Sequence, residues 1–352
     1  MKTTGKNVLF SLIVIIGLFV ILEGTQRVRY AFRHSPGHWL LYGLRPDVIS
    51  SVGEILSYDV EKKGDYYKLT PGFTQNETPH GTQETYVNSY GLRGPDFSLE
   101  KSPDVFRIAV LGGSSTFGAF NGEEETFPAI LQHLLDARAG SGRFEVINAG
   151  LPGANPAMLR HLLREEILPL RPDLILIMSM YNHYTVTSEG DPRNRLALLR
   201  RFLENRSLLF LTLSEKLTYF TNKNSFLDRL YVQFSDYRGY MEEMVDVAKS
   251  NGVDVYLIKQ PVLIKGETPK NVLADSLALE RAWDRDFYVK VLKVVETVGR
   301  DQGLPVLDAS TITGAVHVDM LYDAVHLTRE GNETIAREIF REMERSGPLA
   351  KQ

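Results

Sequence analysis

The chain of 352 residues contains no cysteine. Thiol nucleophiles, disulfide bridges and thiolate metal sites are therefore excluded, although the redox compartment is not, since many exported proteins also lack cysteine. A basic surplus is missing too. Lys and Arg number 40 against 44 Asp and Glu, a formal net charge of −4, and the pI is near 6.1. That balance argues against a nucleic-acid partner, which favours a basic face. Internal repeats, low-complexity tracts and an HExxH-like pair of histidines are also lacking. A metal site is correspondingly disfavoured, and nothing implies a cofactor. What the chain does have is apolar material, 43% of its residues, enough for one large domain or one domain with an appendage.

The longest apolar run lies at the N-terminus. Residues 8–22, VLFSLIVIIGLFVIL, are interrupted only by Ser11 and Gly17, preceded by Lys2 and Lys6, and ended by Glu23. With its flanks the run suits a bilayer span, which needs roughly 20 residues. A cleaved signal peptide is the rival reading, but no small-residue cleavage site follows; the run leads into EGTQRVRYAF. The expectation is an uncleaved, single-pass membrane anchor over residues 1–23, with the remainder on the extracytoplasmic side. Charge does not fix that side, because Lys2 and Lys6 are nearly balanced by Arg27, Arg29 and Arg33.

Residues 24–104 are rich in Gly, Pro, Tyr and charge, and read as short strands joined by turns in a small membrane-proximal extension. From residue 105 apolar runs alternate with helical stretches. Strands are predicted at 105–111, 144–150, 173–180, 253–259 and 304–309; helices at 126–138, 155–167, 240–252, within 273–300, and at 330–344. This alternation predicts an α/β fold with a parallel sheet covered on both faces. In such sheets the ligand site lies beyond the carboxyl ends of the strands. Residues 185–235 interrupt the pattern with two amphipathic stretches and a basic cluster at Arg195, Arg200 and Arg201. They read as helices beside the core or as a lid over the site.

Two strings carry chemistry. VLGGSSTFG (110–118) places Ser114 just after a strand and two glycines that relieve crowding, at a turn leading into a helix. A phosphate-binding turn uses the same geometry, and Ser115 is a rival nucleophile on it. DAVHLTREG (323–331) places His326 three residues after Asp323, ahead of the closing helix. Serine, imidazole and carboxylate are the parts of a nucleophile–base–orienter triad. His317 and Asp319 form a competing pair nearby. Gly150 follows the second strand and Asn182 the third. With the Ser114 N–H they would offer three donors to a developing oxyanion.

The ordered set Ser114, Gly150, Asn182 and His326, within GGSS, NAGLPGAN, RPDLILIMSMYN and DAVHLTREGNETIA, resembles the SGNH (GDSL-type) hydrolase superfamily over residues 105–345. NSYGLRGPDF, ahead of the first block, resembles membrane-anchored bacterial members. The resemblance implies a flavodoxin-like three-layer α/β/α sandwich and ester hydrolysis. It also implies Ser114 as nucleophile in preference to Ser115, His326 as base and Asp323 as its partner, with Gly150 and Asn182 completing the oxyanion hole. The substrate would be an acylated small molecule, glycan or lipid. Gly113 replaces the usual aspartate, a variant seen in the family. Met180, Tyr181, Asn182 and His183 stand where Gly-x-Asn-Asp is common, which bears on substrate choice. Two alternatives share these residues: an O-acyltransferase using the same acyl-enzyme, and a non-catalytic glycan-binding envelope protein.

Overall fold

The computed structural model describes residues 11, 14, 16–25, 28, 60–63, 66–78, 81–179, 225–264, 285–309, 320–323, 325–345 and 347–349. It divides into two compact units, residues 1–57 with 188–230, and residues 58–187 with 231–352.

The larger unit is built on five strands: β5 (Phe106–Gly112), β6 (Phe144–Gly150), β7 (Leu174–Met178), β8 (Asp254–Ile258) and β9 (Val306–Leu307). All neighbours pair in parallel, in the order β6-β5-β7-β8-β9. By chain order this is 2-1-3-4-5, the doubly wound arrangement of flavodoxin-like folds. Alternate residues of each strand point to opposite faces, and both faces are dry. Ile108, Val110, Leu174 and Leu176 meet Leu131 and Leu135 of α2 (Phe127–Ala139) and Ile335 and Ile339 of α6 (Arg329–Arg345). Ala109, Leu111, Ile175 and Ile177 meet Leu159 and Leu162 of α3 (Pro156–Leu162), Met241 and Val245 of α4 (Ser225–Ser250), and Val291 and Val295 of α5 (Arg285–Gln302). The result is a three-layer sandwich. It explains why LILIM in β7 is continuously apolar rather than alternating, since a parallel strand covered on both sides has no wet face.

Local signals set the helix starts. Thr126 caps α2 by accepting the Ala129 N–H at 3.3 Å, with Pro128 in its first turn. Asn155 caps α3 by accepting the Met158 N–H at 2.9 Å, followed by Pro156. The helix predicted through residue 167 stops being α-helical at Leu162 and widens into a π turn over Leu163–Ile167. Pro169 has no N–H for the Glu165 carbonyl, so the regular ladder cannot continue there. α4 begins at Ser225 rather than 240. Gly239 does not break it, a tolerated residue at about 1 kcal/mol relative to alanine.

The segment before residue 105 is not set apart from the sheet. β1 (Val60–Lys63) and β2 (Tyr66–Leu69) form one antiparallel hairpin, and β3 (Gly72–Thr78) and β4 (Gly81–Val87) another. The chain then bends so that Arg93 pairs antiparallel with both Val87 and Asn148 of β6. Side chains reinforce the joint. Tyr66 donates to Glu166 at 2.7 Å, Lys68 pairs with Glu166 at 2.8 Å, and Lys101 pairs with Asp173 at 2.5 Å. Residues 58–104 thus share the compact unit of the parallel sheet.

The anchor expected over 1–23 lies partly outside the described residues. Residues 16–25 are helical, with Ile16, Val20 and Ile21 more than half exposed. Among the described residues no helix is long and apolar enough to cross a membrane.

Candidate active site

β5 delivers its chain to the carboxyl edge of the sheet at the strand-order reversal between β5 and β7, where a crevice forms in this topology. Gly113 ends the strand in an extended conformation, and Ser114 opens a single-turn helix, α1 (Ser114–Phe117). Gly112 and Gly150 sit side by side in the parallel register, and each is required by close approach. A Cβ on Gly112 would overlap Thr116, and one on Gly150 would overlap the Phe117 backbone. The Ser114 N–H has no acceptor within the first turn of α1, as expected for a helix start, and none elsewhere among the described residues.

The histidine arrives from the far end of the chain on a tight loop. The Tyr322 N–H donates to the His326 carbonyl at 2.8 Å and the Thr328 N–H to the Met320 carbonyl at 2.8 Å. Inside that loop Asp323 accepts the N–H of Val325 at 2.9 Å and of His326 at 2.8 Å on one oxygen, an Asx turn that folds the carboxylate back on its own backbone. Its other oxygen lies 2.6 Å from His326 Nδ1. His326 Nε2 lies 2.8 Å from Ser114 Oγ. The imidazole is 7% exposed. Burial by itself pushes the Asp323 carboxyl up, but the His326 charge, the ring hydrogen bond and the two N–H donors outweigh it. The group is lowered from 3.8 to about 2, so it is a carboxylate throughout the neutral range.

Three residues separated by up to 212 positions thus form one hydrogen-bonded chain. Ser115, the rival nucleophile, is engaged elsewhere. It is buried, donates to the Val325 carbonyl at 2.9 Å and accepts from Gln260 Nε2 at 3.0 Å. Gln260 is held in turn by Tyr288, whose hydroxyl donates to its carbonyl at 2.6 Å. Ser115 therefore ties the nucleophile turn to the histidine loop. Asn182, His317 and Asp319 lie outside the described residues.

Gly150 departs from expectation. Its N–H donates to the Asn148 side chain at 3.0 Å, so it is not a free oxyanion donor. The following turn leaves a different N–H unpaired. Leu151, Pro152, Gly153 and Ala154 close with an Ala154 N–H to Leu151 carbonyl bond of 3.0 Å. Gly153 at φ 74 takes the position that favours glycine after proline in a type II turn. The Gly153 N–H has no acceptor among the described residues. NAGLPGAN holds both glycines, and periodicity cannot say which of them keeps its N–H unpaired.

Arg93 was not singled out from the sequence. Its side chain is 1% exposed and lies under the end of α1. It donates to the carbonyls of Phe117 (2.9 Å), Gly118 (2.8 Å) and Asn121 (2.8 Å), pairs with Glu123 at 3.1 Å, and lies 5.0 Å over the Phe117 ring. These carbonyls lie at and beyond the end of a one-turn helix, where the helical ladder stops. NSYGLRG is folded to deliver this side chain: Asn88 Oδ1 accepts the N–H groups of Tyr90 (3.0 Å) and Leu92 (3.1 Å), and its amide donates to Pro95 at 3.2 Å. Arg93→Met, which keeps bulk but removes every donor, is expected to cost about 3–5 kcal/mol. Thermal unfolding should report this as a fall of about 10 °C. An unchanged midpoint would show that the clamp is dispensable.

Among the described residues no cluster of three or more His, Asp or Glu side chains is gathered as metal ligands would be.

No family model matches the sequence, and no curated protein does. Solved structures with some likeness include a lipase/acylhydrolase from Enterococcus faecalis (20% identity, 68% of this chain and 95% of that one, TM-score 0.45). An acetylxylan esterase from Geobacillus stearothermophilus is similar at 16% identity, 67% and 93% coverage and TM-score 0.44. A GDSL-like lipase from Bacteroides thetaiotaomicron is similar at 15%, 71% and 93%, with TM-score 0.41. At these identities and TM-scores the likeness is too distant to transfer a fold or an activity.

Proposed function

We propose that the chain is a serine esterase of the SGNH type that removes an O-acyl group from a membrane-associated glycan or lipid. The observation that carries this reading is the continuous Ser114–His326–Asp323 hydrogen-bond chain, at 2.8 and 2.6 Å. Ser114 Oγ attacks the acyl carbonyl while its proton passes to His326 Nε2. The His326 Nδ1–H stays on Asp323, whose carboxylate stabilises the imidazolium. Negative charge on the former carbonyl oxygen faces the Ser114 N–H, with the Gly153 N–H and the Asn182 side chain as further donors in the proposed hole. Each such donor accounts for about 3–4 kcal/mol of transition-state stabilisation. The alkoxide leaves with the proton from Nε2. Water then gives a proton to Nε2 and attacks the acyl carbon; collapse breaks the bond to Ser114 Oγ, which takes the proton back from Nε2 as the carboxylic acid leaves.

The test uses a fluorophosphonate, which captures a serine activated in this way. Peptide mass spectrometry should find the adduct on Ser114. A folded protein that gains no adduct, or gains it on another serine, overturns the reading.

The membrane part of the proposal is supported by the run at residues 8–22 and by the exposed apolar side chains of the 16–25 helix, Ile16 at 61% and Ile21 at 65%. Contiguous exposed apolar surface marks a site of contact with protein or membrane. Full-length protein should therefore stay in the membrane pellet after alkaline carbonate washing. Release into the supernatant would rule out an integral anchor.

A further inference from the structure

One residue beside the histidine occupies a backbone conformation that its type disfavours. The Asn121 N–H donates to the Gly118 carbonyl at 3.0 Å, closing a turn in which Phe120 is the third residue. Phe120 has φ 70, where a turn of this shape ordinarily calls for glycine or asparagine. Left-handed backbone at a bulky aromatic is an outlier. Such strain persists only when the surroundings over-determine it, and it concentrates at functional sites.

The surroundings here do so. Arg93 binds the carbonyls of Phe117 and Gly118 before Phe120 and of Asn121 after it. Asn121 is fully buried, and its side-chain oxygen accepts from Asn332 Nδ2 of α6 at 3.1 Å. With both flanks pinned, the half-buried Phe120 side chain is carried to His326. The two rings stand edge to face, with centroids 4.8 Å apart and an interplanar angle of 87°. Aromatic pairs at this separation and angle hold a preferred mutual orientation. The imidazole must keep Nδ1 on Asp323 and Nε2 on Ser114 at once. A rotation of its ring breaks both bonds.

We propose that Phe120 is a positioning residue for His326: clamped in a left-handed turn by Arg93, it braces the imidazole in the plane that joins Ser114 to Asp323. The inference depends on the serine-esterase reading and adds to it a fourth side chain, which does no proton transfer itself. Glycine at 120 would suit the turn better, so the phenyl ring is held at a conformational cost in exchange for ring orientation.

Three variants of the full chain, Phe120→Gly, Phe120→Leu and Phe120→Tyr, separate this role from ordinary packing. kcat and KM with a short-chain acyl ester, and thermal midpoints, are measured for each. Phe120→Gly relieves the backbone, so its midpoint should stay within a few degrees while kcat falls about 10–100-fold with KM nearly unchanged, the penalty expected for a misplaced catalytic group. Phe120→Leu keeps bulk without a ring face and should also lose kcat. Phe120→Tyr keeps the ring and should stay within about threefold of wild type. A packing residue would be satisfied by leucine, and an acyl-pocket wall would move KM. Either pattern, or kcat within about twofold of wild type for the glycine variant, overturns the proposal. Ser114→Ala run in parallel distinguishes the two failures. If that variant keeps turnover, the esterase reading itself falls and the proposal with it; if it is inactive while the Phe120 variants are not, only the positioning role falls.

Discussion

Ser114→Ala is expected to lower kcat for ester hydrolysis about 10⁶-fold while leaving the fold intact. The substitution removes one oxygen atom, which lies 2.8 Å from His326 Nε2, and leaves Gly113 and α1 in place. The thermal midpoint should therefore move by no more than a degree or two. Because nucleophile and base act as one unit, His326→Ala added to Ser114→Ala should cost little more. Steady-state hydrolysis of a short-chain ester by the three proteins is the measurement. A single variant retaining a hundredth of wild-type kcat would remove Ser114 from the mechanism. Ser115 could not take over, since its hydroxyl is committed on both sides, to Val325 and Gln260.

Asp323→Asn is the next largest effect, a loss of about 10⁴ in kcat. The asparagine oxygen can still accept from the Val325 and His326 N–H groups, so the loop keeps its shape. The amide nitrogen then faces Nδ1 where a carboxylate oxygen stood, and favours the tautomer with its proton on Nε2, the atom that must accept from Ser114. Stability carries a second signature. A carboxyl depressed from 3.8 to about 2 contributes above its unfolded value and loses that contribution as pH falls through the folded one. The interval corresponds to about 2 kcal/mol. Denaturant unfolding of wild type and Asp323→Asn should show their stability difference narrowing by about that amount between pH 5 and pH 2. A difference independent of pH would mean that the carboxylate is not held by the imidazole.

The parts of this architecture that depend on burial were legible in the chain. β5, β6, β7 and β8 fall where the apolar runs placed them, and α2 and α6 start and end within a residue of their predicted bounds, because a strand covered on both faces reads as an unbroken apolar run and a helix covered on one face as a 3.6-residue period. Ser114, Asp323 and His326 are brought together as their motifs suggested. Hydrogen-bond assignment was not legible. The occupied N–H of Gly150, the latch from Ser115 to Val325, and the reach of Arg93 to three carbonyls each depend on which lone pair meets which donor across 2 to 210 residues of chain. Apolar periodicity is silent on that. The sign of φ at Phe120 was hidden for a related reason: propensity argues against the conformation, and only tertiary clamping overrides it. α4 starts at Ser225, fifteen residues before the predicted 240.

The bend at NSYGLRG also governs how the polypeptide can be shortened. A truncation at the first strand of the parallel sheet, residue 105, would look natural by motif, yet it would discard the guanidinium that supports the serine turn. A soluble fragment for crystallisation or inhibitor screening should begin no later than Tyr58, where the larger unit starts. Versions that begin after Arg93 would be expected to precipitate even though every motif residue remained.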